Sequence, residues 1–196
     1  MNPLRRLVSA LLPLLPLAVA SHPASAQLSL YGTYSGVRTG NSINGNASGV
    51  NAGYTYGSNW NSGFGGGLTV TVLPLGPLSL GIDLRGSSSA GSPGADTALA
   101  GIKLGAHVPL IGLKPYLQAS GGWVRTRLPL STLRANDTTD FAAYEVLGGL
   151  DLPFLPHLDL RLVEIGAGQG RYLSGPDSTA PNISLLTVNT GLVLHF

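Results

Sequence analysis

Nucleophilic catalysis by a hydroxyl needs a base within hydrogen-bond reach and a third group to orient that base. On a β-strand, where side chains alternate between faces, a His-x-Ser pair is the direct way to put nucleophile and base on one face. Three histidines follow residue 26, in His107-Val108-Pro109, His157-Leu158-Asp159 and His195-Phe196, and none has Ser two residues later. His157 and Asp159 have the spacing of a base and its orienting acid, but no nucleophile completes the set, so they read as a turn histidine beside an inward aspartate. No Gly-rich phosphate motif lies between a strand and a helix, and no His, Cys or carboxylate cluster has metal-ligand spacing. The expectation is a chain that is not an enzyme and takes no cofactor or metal.

The remaining chemistry-bearing residues are charges set into alternating stretches. In Leu78-Ser79-Leu80-Gly81-Ile82-Asp83-Leu84-Arg85 one face is wholly aliphatic and the other carries Ser79, Gly81, Asp83 and Arg85. The same split recurs in Ala100, Ile102, Leu104, Ala106 and Val108 against Gly101, Lys103, Gly105 and His107. Counted along such strands, Asp83, Arg85, Lys103, Glu145, Asp159 and Arg161 all fall on the polar face, three acidic and three basic. Asp151 shares that face at a strand end where water could reach it. Buried charges persist only when paired, so the expectation is an ion-pair network filling a narrow lumen, with Asp83 to Lys103 and Glu145 to Arg161 as contacts. A narrow gated ion pore is the alternative, because rings of charge can also select ions.

Eight alternating segments would position these residues, at about 28–37, 63–73, 77–86, 98–109, 115–126, 141–152, 158–167 and 183–196. Three connections, Leu73 to Pro77, Pro109 to Lys114 and Pro153 to His157, are short and contain proline. The other four, about 38–62, 87–97, 127–140 and 168–182, are longer and rich in Gly, Ser, Asn, Asp and Thr. Alternating short turns and long loops predict an antiparallel up-and-down barrel of eight strands. Leu162-Val163-Glu164-Ile165 breaks the alternation, and a β-bulge there is expected to reset it. A soluble barrel of this size would wrap its aliphatic face around a ligand and need a charged exterior. The few charges here fall in loops or on the small-residue face, which predicts aliphatics outward in lipid. Tyr31, Tyr34, Trp60, Phe64, Trp123, Phe141, Tyr144 and Phe154 lie mostly near strand ends, as rings at a membrane interface would.

Composition agrees with a membrane span built from strands. Charged residues are 10% of the chain, against about 25% in soluble domains, and 28 glycines hold the hydrophobicity down. Residues 1–26 have the form of a cleaved secretory signal: Arg5 and Arg6, an apolar run from Leu7 to Ala20, and Ala24-Ser25-Ala26 before Gln27. The expected barrel domain is therefore 27–196. Without Arg5 and Arg6 the 11 basic residues fall to nine, equal to the nine acidic ones, so no nucleic-acid partner is expected. No later stretch approaches the roughly 20 apolar residues of a spanning helix. Cysteine is absent, so barrel closure must supply the stability that disulfides would lend. The Asn-rich loop from Arg38 to Asn61 is expected to be surface and names no ligand. Asn46-Ala47-Ser48, Asn136-Asp137-Thr138 and Asn182-Ile183-Ser184 match a sugar-acceptor pattern too short to carry weight.

The last segment, Asn189-Thr190-Gly191-Leu192-Val193-Leu194-His195-Phe196, alternates and ends in an aromatic. It resembles the C-terminal β-signal read by the outer-membrane assembly machinery, with Asn189 and Gly191 inward and Leu194 and Phe196 toward lipid. With signal, loops and strands combined, the chain resembles the small OmpA/OmpX-type outer-membrane barrels along nearly its full length. That resemblance implies an outer-membrane location in a Gram-negative-type bacterium and partners among its lipids and lipopolysaccharide. No peptidoglycan-binding domain is expected after the last strand. Some barrels of this size are lipid A deacylases using His, Ser and an acid facing lipid, a set not found on any strand here. Three functional classes stay open: a structural or adhesion-type surface barrel, a narrow pore, and a lipid A-modifying enzyme. The first leads because nothing specific supports the others.

Overall fold

Alternating apolar and small or polar residues favour strands wherever one face can be buried, and eight such stretches pair in this chain. The computed structural model describes residues 27–41, 60–90, 94–108, 112–127, 138–174 and 182–196. The strands are β1 (Leu28–Asn41), β2 (Trp60–Leu75), β3 (Leu78–Ser89), β4 (Gly94–Ala106), β5 (Lys114–Arg127), β6 (Thr138–Leu155), β7 (Leu158–Ser174) and β8 (Ile183–His195). Each pairs antiparallel with the next, and β8 returns to β1 with Ser29 opposite His195 and Asn41 opposite Ile183. Closure leaves no sheet edge to be satisfied. The leader-like residues 1–26 and most of the Asn-rich loop, 42–59, lie outside the described residues, as do Asn46 and Asn136.

The strands exceed their predicted lengths, running to 18 residues in β6 where about 9–11 cross a bilayer. The connection expected over 87–97 shrinks to 90–93, because polar side chains extend the β3–β4 ladder. Ser87 Oγ lies 2.7 Å from Thr97 Oγ1, and Ser88 donates to Asp96 at 2.7 Å. At the other end the turns are tight. Gly76-Pro77 joins β2 to β3 and Pro156-His157 joins β6 to β7, with φ of 70° at Gly76 and at His157. Proline pre-sets the first central position of a type II turn, and His157 accepts the left-handed second position that glycine usually takes.

Which face is which follows from exposure. Ile82, Ile102 and Leu117 point out at 53%, 60% and 57% exposed, while Asp83, between Ile82 and Leu84, is 1% exposed. Trp60 and Phe64 stand outward toward the loop end, and Phe154 and Phe196 outward at the turn end. Tyr31 and Phe141, expected among these interfacial rings, instead point inward, because they share parity with Ser29 and Thr33 and with Thr139 and Ala143 respectively. On β7 the ladder to β8 steps from Arg161 opposite Gly191 to Glu164 opposite Asn189, three residues against two. This is the expected extra residue at Leu162-Val163, and it turns Glu164 inward to full burial.

Two glycines make room for rings inside. A Cβ on Gly67 would overlap the Tyr31 ring and hydroxyl, and one on Gly149 would overlap Tyr116. Each tyrosine therefore lies across a neighbouring strand's bare backbone and reaches toward the barrel axis.

Candidate functional site

The lumen is built in three layers. At the loop end, Val124, Phe141, Ile183 and Leu185 close over Ala95 and Ala143, all buried, with Tyr172 edge-on to Phe141 at 6.4 Å between centroids. This apolar seal departs from the uniformly polar interior that strand alternation suggested. Its residues sit on inward positions near strand ends, where the outward neighbours Asp96, Arg125, Asp140 and Ser184 are polar and the alternation is inverted.

Beneath it lies the charged layer, centred on Glu164. Arg85 Nη2 donates to both Glu164 oxygens at 2.9 Å, Arg161 Nη1 donates at 3.1 Å, Tyr116 Oη at 2.5 Å and Asn189 Nδ2 at 2.7 Å. Arg161 also donates from Nε to Asp151 at 3.0 Å, and its guanidinium lies between the Tyr31 and Tyr116 rings, 4.4 and 4.9 Å from their centroids. Asp83 is held by neutral donors, Thr69 Oγ1 and Gln118 Nε2 at 2.7 Å each and Tyr31 Oη at 2.9 Å, with Arg85 Nε at 3.5 Å. Glu145 accepts from Thr187 at 2.5 Å and lies 3.9 Å from Arg85 Nη1. Every carboxylate here has a donor, which is the condition for burial to be tolerated.

All six charges assigned inward from sequence are inward, and five of them, Asp83, Arg85, Lys103, Glu145 and Arg161, meet in this layer. The expected pairings are replaced. Lys103 stands opposite Gly81 rather than Asp83, and its amine goes to Asp151 at 3.7 Å and over the Tyr116 ring at 3.8 Å. Arg161 takes Asp151 and Glu164, not Glu145, since the bulge carries Glu164 to within its reach. Asp151, expected to be solvated, is 4% exposed because β6 continues to Leu155 and brings it beside Arg161. Glu164 and the two tyrosines were missed as partners. Only the break in alternation at 162–165 signalled the glutamate, and nothing local signals rings that reach across the axis.

At the turn end the lumen opens into a vestibule of about 720 Å³, whose floor includes Tyr116, Lys103 and Asp151. Asp159, the sixth charge, faces it. Asp159 Oδ2 lies 2.7 Å from Lys114 Nζ and 2.8 Å from His195 Nε2, and His195 Nδ1 lies 2.8 Å from Ser29 Oγ. The serine that no His-x-Ser pair supplied thus comes from β1, where ring closure sets Ser29 directly across from His195. Among the described residues no group of His, Cys and carboxylates has the arrangement of a metal site.

The β8 residues of the terminal motif divide by face. Asn189 is buried on Glu164, and Gly191 stands between Thr33 and Arg161. Leu194 and Phe196 point outward at 41% and 64% exposed.

A closed ring of eight antiparallel strands has counterparts among solved structures. Over 88% of this chain and all of the other, it superposes on Ail, the attachment invasion locus protein of Yersinia pestis, solved in complex with the heparin analogue sucrose octasulfate (TM-score 0.52, 10% identity). The fold is that of the small outer-membrane β-barrels. Neisserial surface protein A matches over 86% of this chain and 97% of its own (TM-score 0.48, 15% identity). The N-terminal barrel domain of Pseudomonas aeruginosa OprF matches over the same shares (TM-score 0.46, 13% identity). These structural neighbours are of the OmpA/OmpX type. No protein-family model matches the chain, and no curated relative does.

Proposed function

We propose that residues 27–196 form a sealed surface barrel of a Gram-negative-type outer membrane, delivered by a cleaved leader at 1–26 and serving to hold its loops outside the cell. The observation that carries this reading is the lumen: an apolar seal at the loop end stacked on a layer in which every buried carboxylate is paired. A conducting path would have to part both. Supporting the location are the aliphatic exterior and a row of outward charges at the loop end, where Arg125 donates to Asp140 at 2.8 Å and Asp96 pairs with Arg127. That row would lie at headgroup level and meet the sugars and phosphates of lipopolysaccharide. The outward Leu194 and Phe196, with Asn189 and Gly191 inward, would form the surface read by the assembly machinery.

The test is conductance of the purified barrel in a planar bilayer, together with whole-cell labelling of a cysteine at Ala90. Ala90 is exposed just beyond β3, whereas the neighbouring Ser89 is 1% exposed and unsuited to the purpose. The expected result is labelling of intact cells and no stable conductance. A steady single-channel current would establish the narrow pore instead.

A further inference from the structure

Beyond the sealed-barrel reading, we infer that the turn-end vestibule is a hydrolytic site in which Ser29 is the nucleophile, His195 its base and Asp159 the orienting acid, acting on small carboxylic esters. A nucleophile of this kind is recognised by mutual geometry rather than by sequence position. Both hydrogen bonds of the relay are at 2.8 Å. The sense of the relay follows from the partners. A carboxylate only accepts, so when Asp159 accepts from the ring, Nε2 carries the hydrogen; in the neutral imidazole Nδ1 is then left to accept from the Ser29 hydroxyl. Lys114 on the same Oδ2 already brings one cation to that carboxylate.

The three residues come from β1, β8 and β7, and all line the 720 Å³ cavity. Burial suits their roles. The Asp159 side chain is 3% exposed and the His195 side chain 28%, so the acid is held while the base faces the opening. The cavity wall adds carbon from Pro74, Pro77 and the buried Val193, which matches an acyl group. Lys114, paired with Asp159 at the same wall, serves the acid end of the relay. The cavity opens at the turn end, away from the loop-end seal, so its substrate is a small molecule in solution and not a lipid on the outer face.

In the reaction Ser29 Oγ attacks the ester carbonyl carbon while its proton passes to His195 Nδ1. The tetrahedral adduct collapses, the carbon–alkoxide bond breaks, and the alcohol leaves with the proton from Nδ1. Water then attacks the acyl-serine, giving its proton to Nδ1; the carboxylic acid departs and Ser29 Oγ takes the proton back. One ester and one water become one acid and one alcohol, with no change of oxidation state.

The same contacts would also arise if the three side chains only clasped the β7–β8–β1 seam, and the test separates the two. Folded barrel in detergent is treated with an alkyl fluorophosphonate and the adduct located by peptide mass. The expected result is one adduct on Ser29 of the wild-type chain. It should be lost in Ser29→Ala, slowed about 100-fold or more in His195→Asn, and unchanged in Ser87→Ala, a lumen serine paired with Thr97 away from the vestibule. Wild-type barrel that takes up no label, or takes it up elsewhere than Ser29, overturns the proposal and leaves a clasp. The wild-type arm decides this even where a variant fails to fold.

Discussion

Replacing Arg161 by methionine removes a guanidinium and keeps most of the stem that packs between two rings, so it isolates the charge. Arg161 makes three hydrogen bonds to carboxylates: Nε and Nη2 to Asp151 at 3.0 and 3.3 Å, and Nη1 to Glu164 at 3.1 Å. The charged layer holds Asp83, Glu145, Asp151 and Glu164 against Arg85, Lys103 and Arg161, already one carboxylate in excess. Loss of a cation therefore leaves four carboxylates facing two cations. Breaking one partner of a buried pair costs about 3–5 kcal/mol, which is roughly 200-fold to 5,000-fold in the unfolding equilibrium. Lys103 at 3.7 Å from Asp151 and Arg85 on Glu164 remain as second partners, so the lower end of that range is expected. Glu164→Gln changes the balance the other way, to three against three, and should cost less than Arg161→Met. The double variant should be less destabilised than the sum of the two, as contacting residues in one network are not additive. Urea unfolding of the refolded barrel in lipid vesicles, read by tryptophan fluorescence and by heat-modifiable mobility, measures all three. A loss below about 0.5 kcal/mol for Arg161→Met, the scale of an exposed pair, would refute the reasoning that this network is sealed from water.

Two further substitutions probe the two faces. Ile102→Arg, on an outward position 60% exposed, would be nearly neutral on a water-facing surface but should cost about 2–4 kcal/mol at the middle of a lipid-facing band. Unfolding midpoints in vesicles decide between these. Gly67→Ala puts a methyl group into the Tyr31 ring and the Leu84 carbonyl oxygen. Overpacking of this kind costs about 1–3 kcal/mol, and the same unfolding assay should show it, while Gly32→Ala, with open space at its Cβ, should stay close to wild type.

Much of this architecture is legible because it is periodic. Alternation within Leu78–Arg85 suffices to put Asp83 and Arg85 on one side and Ile82 and Leu84 on the other, whatever the neighbouring strands do. Strand ends were less legible: Ser87 and Ser88 look like loop residues until Thr97 and Asp96 stand across from them as hydrogen-bond partners. Pairing partners were less legible still. Asp83 and Lys103 lie on adjacent strands, yet Asp83 is occupied by Thr69, Gln118 and Tyr31, and long side chains reach past the nearest strand to the far wall. In a lumen only a few side chains wide, the partner of a charge is set by height and reach, quantities that a linear pattern does not contain.

The same limit explains why no His-x-Ser pair in the sequence marks the vestibule triad. A His-x-Ser pair puts nucleophile and base on one strand, where a spacing of two residues places them on one face. In a closed barrel the first and last strands are neighbours, so residues 166 positions apart can be as near as cross-strand partners, and Ser29 with His195 are such a pair. Asp159 then enters from β7, whose register to β8 on the turn side of the bulge sets Asp159 opposite Val193, one inward step from His195. Moving the bulge past Asp159 would flip Asp159 to the lipid face and leave Glu164 inward. The charged layer needs the extra residue between Arg161 and Glu164, and the triad needs it after Asp159. Leu162-Val163 is the interval that satisfies both, so one irregularity in β7 positions the sealed and the open halves of the lumen together.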